Sequence, residues 1–382
     1  MKKLAIVTTH PIQYNAPLFQ LLHQRGNVEI MVFYTWGVGV MEKKYDPGFG
    51  KIINWDIPLL AGYPYRFVAN TSKAPGSGHF NGIVNPTLNT EIRDWGADAI
   101  LVYGWSFKSH LACLRHFHGK IPVYFRGDST LMDEQAGIKK MMRKLFLSWV
   151  YRNVDSAFYV GQNNKVYYKA YGLKDAQLQF AGHAVDNDRF AKADTTEVNL
   201  IRQKCGLAPA ETLFVFAGKL EPKKAPELLI KSFIALKNNN ARLLIVGNGV
   251  LEETLKKKYA GMPGIHFMDF QNQSAMPALY HAADVFVLPS QGPGETWGLA
   301  INEAMAAGKP VLVSDACGAA IDLVEHGYNG FICKHNQQDD LREHMNFLMN
   351  KNMQATMGKH SRDKIQSWSY ESIASALEAA IR

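Results

Sequence analysis

The chain has 382 residues, 47% of them hydrophobic and 20% charged, with 31 Gly, 16 Pro and four Cys. Those proportions exclude a disordered, collagen-like or disulfide-stapled protein, and the length suits two domains of ordinary size. The net charge of +8 comes entirely from the first half, where residues 1–190 hold 22 Lys and Arg against 14 Asp and Glu. Such a half either faces an anionic partner (a membrane surface, nucleic acid, a phosphorylated acceptor) or carries its charge as a solvated surface. Cys113, Cys205, Cys317 and Cys333 show no C-x-x-C spacing, which argues against a cysteine zinc site and suits a reducing compartment. Residues 1–7 mimic a signal peptide until Thr8-Thr9-His10-Pro11 ends the apolar run, and no stretch reaches the roughly 18 apolar residues of a membrane span. The expectation is a soluble cytoplasmic protein.

In chain order, Leu4-Ala5-Ile6-Val7 predicts a strand, residues 15–25 a helix, and residues 29–33 a second strand. Residues 36–85, rich in glycine and aromatics, break the alternation and read as a long functional or mobile loop. Strands are predicted again at 99–103, 122–125 and 156–159, and a second series at 213–217, 243–246, 285–288 and 310–313. Short apolar runs separated by helical patterns are the mark of parallel strands covered on both faces. Two series predict an α/β protein of two Rossmann-like, doubly wound domains, with the boundary after a polar stretch near residue 188.

Within the first half, three features carry candidate chemistry. The first strand runs into His10-Pro11-Ile12-Gln13-Tyr14, which puts His10, Gln13 and Tyr14 at a strand end, where ligands bind in such sheets. Phe125-Arg126-Gly127-Asp128-Ser129 follows another strand, which makes Arg126 and Asp128 candidate site residues at its carboxyl end; a buried Arg–Asp pair shaping the loop is the alternative. In the helix over 137–152, Ile138, Met141, Met142, Leu145, Phe146, Trp149 and Val150 recur at three and four spacing, beside Lys139, Lys140, Arg143 and Lys144. The ordinary expectation docks that apolar face on the first sheet; the other presses the helix onto anionic lipid. No metal site is expected. His116 and His118, spaced like ligands on one strand face, lack carboxylate or cysteine neighbours, and the D-x-D at Asp186-Asn187-Asp188 falls in the interdomain linker.

The second half is richer. Phe216-Ala217-Gly218-Lys219-Leu220-Glu221-Pro222-Lys223-Lys224-Ala225 is a strand entering a glycine turn and a basic loop, so Lys219 and Lys224 can face one phosphate pair. Pro289-Ser290-Gln291-Gly292-Pro293-Gly294-Glu295-Thr296-Trp297-Gly298-Leu299 follows a buried strand and opens a helix stopped by Gly308 and Pro310. The unpaired amides at Gly298 and Leu299 favour an anion such as diphosphate. Glu295 and Glu303, eight apart and straddling that anion site, can grip hydroxyls on its two sides.

These clusters together resemble the family-4 retaining glycosyltransferases of the GT-B fold. The resemblance is strong over residues 215–330 and weak before about residue 150. The E-x7-E signature appears as Glu295 and Glu303, and the G-R-L-x-x-x-K-G loop as Gly218-Lys219-Leu220 through Lys224-Ala225, with Lys and Ala where the family has Arg and Gly. Its nucleotide loop is similar to Ile245-Val246-Gly247-Asn248-Gly249, and the run 280–290 matches as well. The resemblance implies two Rossmann-like domains facing across a cleft. Residues 1–188 bind the acceptor and residues 189–365 the nucleotide sugar, while a closing helix (366–382) returns to the first domain.

Lys219 and Lys224 would hold the donor diphosphate, Glu295 the sugar and Glu303 the ribose. Thr296, Trp297, Gly298 and Leu299 would supply the backbone cradle, and Phe270 would lie by the base. The implied reaction is retaining and metal-free. It needs no cofactor beyond the nucleotide-diphosphate sugar substrate, and the acceptor is a glycan or lipid-linked molecule of bacterial surface polysaccharide or glycolipid synthesis. An epimerase of GT-B shape would use the same donor without an acceptor. A non-catalytic sugar or nucleic-acid binder leaves the paired glutamates unexplained, and the aromatic-rich RNA-binding motifs are absent, so no nucleic-acid partner is expected.

Overall fold

A computed structural model describes residues 1–36, 44–46, 51–53, 55–132, 134 and 137–381, with the side chains of 44–46 and 51–53 left aside. Residues 37–43, 47–50 and 54 of the long glycine- and aromatic-rich loop expected over residues 36–85 lie outside these residues. The chain divides into two compact units, one of residues 1–44, 57–183 and 370–382, the other of residues 45–56 and 184–369.

The first unit begins with β1 (Lys3–Thr8), α1 (Ala16–Arg25) and β2 (Glu29–Tyr34). A two-stranded ribbon of β3 (Lys44–Asp46) and β4 (Lys51–Ile53) comes next along the chain. The unit continues through β5 (Tyr65–Phe67), α2 (Leu88–Trp95), β6 (Ala99–Tyr103), α3 (Lys108–Phe117) and β7 (Val123–Arg126). It ends with α4 (Ile138–Tyr151), β8 (Ser156–Tyr159), α5 (Gln162–Ala170) and β9 (Leu178–Phe180). Seven parallel strands lie in the order β5-β2-β1-β6-β7-β8-β9. Leu4, Ala5, Ile6 and Val7 are completely buried, as a central strand covered on both faces requires. At about 1.5–3 kcal/mol per large apolar side chain, such strands supply much of the driving force for the unit. The edge strand β5 arises inside the segment that breaks the helix–strand alternation. Asn85 ties that segment down, its Nδ2 donating to the carbonyls of Thr35, Val68 and Ala69 at 2.9–3.0 Å.

The second unit runs α6 (Asn187–Phe190), α7 (Thr195–Lys204), β10 (Thr212–Ala217), α8 (Pro226–Leu236) and β11 (Ala241–Val246). It continues α9 (Glu252–Tyr259), β12 (Ile265–Met268), α10 (Met276–Ala282), β13 (Val285–Leu288), α11 (Leu299–Ala306) and β14 (Val311–Ser314). It closes with α12 (Ala320–Leu323), β15 (Gly330–Cys333), α13 (Gln338–Phe347) and α14 (Lys351–Ile365). Its six parallel strands lie in the order β12-β11-β10-β13-β14-β15. The order reverses direction between β10 and β13, so the crevice for a ligand lies outside the carboxyl ends of those two strands.

The last helix, α15 (Tyr370–Ile381), belongs to the first unit. Arg25 pairs with its Glu378 at 2.9 Å, and the Tyr124 hydroxyl donates to the Ala380 carbonyl at 2.5 Å.

Helix α4 departs from the ordinary packing expectation. Of the apolar residues that recur along it, only Val150 is buried, together with Leu147 and Tyr151; Ile138, Met141, Met142, Leu145, Phe146 and Trp149 are exposed. The side of the helix that meets the core is chosen by Leu147, Val150 and Tyr151, which join the cluster around Phe125 and Tyr168. Among the described residues no helix is long and apolar enough to cross a membrane.

Candidate active site

Strand β10 ends at Ala217, and the chain turns through Gly218 into a short 3-10 turn, Pro222–Lys224. The backbone of this loop is laced to the next strand's exit, Gly218 N–H donating to the Val246 carbonyl at 3.0 Å and Leu220 N–H to that of Asn248 at 2.9 Å. Such close approach requires glycine at 247, where φ is +133° and an added Cβ would lie 2.0 Å from the Gly218 carbonyl oxygen. Asn248 is fully buried. Its Oδ1 accepts from Phe270 N–H at 2.8 Å and its Nδ2 donates to Asp269 at 3.1 Å, so the two loops behind β11 and β12 are joined. The Phe270 ring lies 6.4 Å from that of Trp55.

The loop after β13 meets the same basic turn. Gln291 donates from its backbone to the Lys223 carbonyl and from its side chain to the Pro222 carbonyl, both at 2.8 Å. This brings Lys224 against Glu295, and the two form a direct ion pair with side chains only 16% and 7% exposed. Ser290 Oγ donates to the same Glu295 oxygen at 3.1 Å. The stretch from Glu295 to Trp297 is held by the turn before α12, the amides of Gly318 and Ala319 donating to the carbonyls of Glu295 and Trp297 at 3.0 Å.

Gly298 then starts α11 at φ +100°, with no side-chain cap and no acidic residue in the first turn. A Cβ there would press on Leu288 Cδ2 at 3.1 Å. The first amides of the helix have no partner within it, and the helix dipole makes this end attractive to an anion. Trp297 is anchored beside it, Nε1 donating to buried Asn302 at 2.8 Å and its ring 5.3 Å from that of Trp368. Glu303 is buried on α11 and accepts from the Tyr280 hydroxyl at 2.6 Å.

The structure therefore brings Gly218, Lys224, Glu295, Thr296, Trp297, Gly298 and Leu299 to the carboxyl ends of β10 and β13, with Lys219 in the same loop as Lys224. Gly247 and Phe270 stand at the exits of β11 and β12. Sequence reasoning missed Tyr280, which sets the Glu303 carboxylate, and Ser290, which sets Glu295. Both lay in the matching run 280–290, but neither partnership was marked there, and α10 meets α11 only in the folded unit.

The first-unit candidates are arranged differently. Arg126 is buried at the end of β7 and donates to the carbonyls of Ala181 and Gly182 at 2.6 and 3.4 Å. Burial lowers its pKa from the ordinary value, with Tyr103, Tyr168 and Asp128 opposing that shift. Asp128 lines a cavity of about 170 Å3 with Trp105, Phe125, Arg143, Tyr151 and Tyr168. His10 Nδ1 lies 3.0 Å from Thr9 Oγ1 and its ring meets Trp36 edge-on. Gln13 and Tyr14 lie in the connection between β1 and α1, half-buried, and Gln13 Oε1 is buried without a hydrogen-bond partner. His116 lies in the last turn of α3 and His118 caps it, so the pair lies on a helix end. Asp186 caps α6 by accepting from Arg189 N–H at 3.0 Å.

Residues 197–364 match the family described as "Glycosyl transferases group 1". The chain is similar to the sulfoquinovosyl transferase of Arabidopsis thaliana, 29% identical over 51% of this chain and 38% of that protein. It is also similar to a GDP-mannose-dependent phosphatidylinositol monomannoside mannosyltransferase of Mycobacterium tuberculosis, 27% identical over 54% of this chain and 56% of the relative. Several of the curated relatives it matches are spanned over less than half their own length. Among solved structures, HepE of Anabaena in complex with UDP and glucose superposes with a TM-score of 0.73 at 17% identity, over 100% of this chain and 99% of that one. WaaG, a glycosyltransferase involved in lipopolysaccharide biosynthesis, gives 0.66 at 15% identity over 99% of each chain. The chain has the GT-B fold, and its residues 197–364 match the glycosyl transferases group 1 family.

Proposed function

We propose that the protein is a retaining, metal-independent glycosyltransferase of the family-4 kind, moving a sugar from a nucleotide-diphosphate sugar to a glycan or lipid-linked acceptor. The product class is a surface polysaccharide or glycolipid. The observation that carries the proposal is the Lys224–Glu295 pair beside the start of α11, at the point where the second sheet reverses its strand order. Solved relatives of the same fold in complex with UDP or UDP-glucose support a nucleotide-sugar donor.

In this reading the diphosphate lies between the ammonium groups of Lys219 and Lys224 and the amides of Gly298 and Leu299. Charge that develops on the departing phosphate oxygen meets fixed donors, which supplies what a divalent cation supplies elsewhere. Glu295, now shared with Lys224 and Ser290, fixes a sugar hydroxyl and keeps the reacting carbon against the phosphate face. Glu303, aimed by Tyr280, holds the ribose, and Phe270 borders the base. The first unit binds the acceptor through His10, Gln13, Tyr14 and Asp128, with Arg126 as the catalytic partner. Retention follows when the acceptor attacks on the face the phosphate leaves, the departing phosphate taking the acceptor's proton.

A radiolabelled-donor assay tests this. Transfer to acceptor, undiminished by a chelator, is expected. Loss of transfer on chelation contradicts the metal-free reading, and hydrolysis or epimerisation of donor with no acceptor product points to different chemistry in the same fold.

A further inference from the structure

Helix α4 turns its greasier side to solvent. Ile138, Met141, Met142, Leu145, Phe146 and Trp149 are between 39 and 75% exposed. At 3.6 residues per turn they share an arc of about 140°, on the side opposite Leu147, Val150 and Tyr151, which are buried in the first unit's core. Exposed apolar residues scattered singly need no explanation, but six large ones on one face of a single helix do.

Cations flank the arc on both sides, Lys139 about 20° beyond one edge and Lys144 about 60° beyond the other, while Lys140 and Arg143 lie toward the buried side. Lys140 and Arg143 have Glu134 at 3.7 and 3.5 Å, and the Arg115 guanidinium lies 5.1 Å from the Trp149 ring centroid.

We propose that α4 is a membrane-surface helix that lies in the plane of an anionic lipid bilayer. Its six apolar side chains enter the boundary between headgroups and acyl chains. Lys139 and Lys144 meet the lipid phosphates. The length of 14 residues suits lying on a bilayer and is too short to span one. Charge decides against a second copy of the chain as the occupant. A two-fold contact through this face would bring the flanking Lys139 and Lys144 of both copies together, whereas a phosphate surface satisfies them.

Vesicle co-sedimentation of the full chain tests the proposal, with phosphatidylcholine vesicles containing phosphatidylglycerol compared with phosphatidylcholine alone. Binding to the anionic vesicles is expected, falling steeply with added salt. Lys139→Gln with Lys144→Gln should weaken it about 25-fold, near fivefold for each lysine. Leu145→Ser with Phe146→Ser should weaken it at least about tenfold. Both pairs are exposed, so the melting temperature should stay that of the parent. The proposal is overturned by any of three results: no binding to anionic vesicles, equal binding to neutral ones at every salt concentration, or parent-like binding by both double variants. A concentration-dependent dimer that Leu145→Ser abolishes would also overturn it, by assigning the face to a second copy. Donor binding in the second unit stands or falls separately.

Discussion

At the residue scale, the Lys224–Glu295 pair dominates. Read as motif positions, the two residues have separate roles, one for phosphate and one for sugar, and each could be replaced with the fold intact. Folding joins them across a separation of 71 positions, with both side chains largely removed from water. Removing one member of such a pair strands the other charge, at a cost of about 3–5 kcal/mol. Lys224→Met and Glu295→Gln should therefore each lower stability as well as cut transfer about 100-fold or more. The double variant should recover part of the stability and none of the activity. Denaturant titrations of the three variants check the first statement and initial rates the second; additive stability losses would show the pair to be uncoupled.

Ala225 stands where the resembling family has glycine, and the structure gives that departure a physical meaning. Its φ of +51° is left-handed, a region costing a residue with a Cβ roughly 1–2 kcal/mol. Glycine removes that strain and loosens the unfolded chain in return. Ala225→Gly should stabilise the second unit by up to about 1 kcal/mol, read as a raised denaturant midpoint. A lowered midpoint would mean that the Ala225 methyl, buried before α8, contributes more by packing than the backbone loses.

At the scale of elements, apolar periodicity found α4 and its two kinds of side chain but not the way it faces. A helical wheel records which residues share a side. Which side is buried depends on Leu147, Val150 and Tyr151 meeting Phe125 and Tyr168, and that is tertiary information. The two glycine-bearing loops were legible for the opposite reason. Glycine is demanded at 247 by positive φ and close backbone approach and at 298 by positive φ, constraints local enough to mark the sequence.

Three elements of the first unit meet at a group no motif announced. His110 on α3 donates from Nδ1 to the carbonyls at the end of β6, Tyr103 at 3.0 Å and Gly104 at 3.1 Å, which leaves Nε2 to accept at 2.8 Å from Thr35 Oγ1, just beyond β2. Burial depresses its pKa from 6.5 to about 4, against those backbone bonds. The unfolded chain takes up a proton below 6.5 that the folded chain refuses until about 4. This contribution to stability is therefore complete above pH 6.5 and is lost as the pH falls through that window. His110→Gln should flatten the acid side of the stability profile in urea titrations. An unchanged slope between pH 6.5 and 4 would place the titration elsewhere.

At the scale of the whole molecule, the two-sheet plan was legible because parallel strands buried on both faces write themselves as unbroken apolar runs. The central strands β1, β6, β10, β11 and β13 all announce themselves this way. The edges did not, since β5 and β9 have only three residues each, half-exposed and short of any period. The same sheet order explains why the second unit's chemistry could be read and the first unit's less so. In the second, glycine turns and lysines crowd the reversal between β10 and β13, whereas Arg126 spends its donors on the carbonyls of Ala181 and Gly182.

The most direct test of the donor site is a melting-temperature titration of the intact protein with nucleotide-diphosphate sugars in chelator. A ligand that binds only the folded chain raises the transition by mass action, by about 2.7 kcal/mol at a hundredfold excess over its Kd. At least one uridine or guanosine diphosphate sugar should raise the melting temperature in a saturable way, and Lys224→Ala should abolish the shift. If no nucleotide sugar moves the transition, or if the Lys224 variant responds as the parent does, the pyrophosphate cradle assigned to β10, β13 and α11 does not exist.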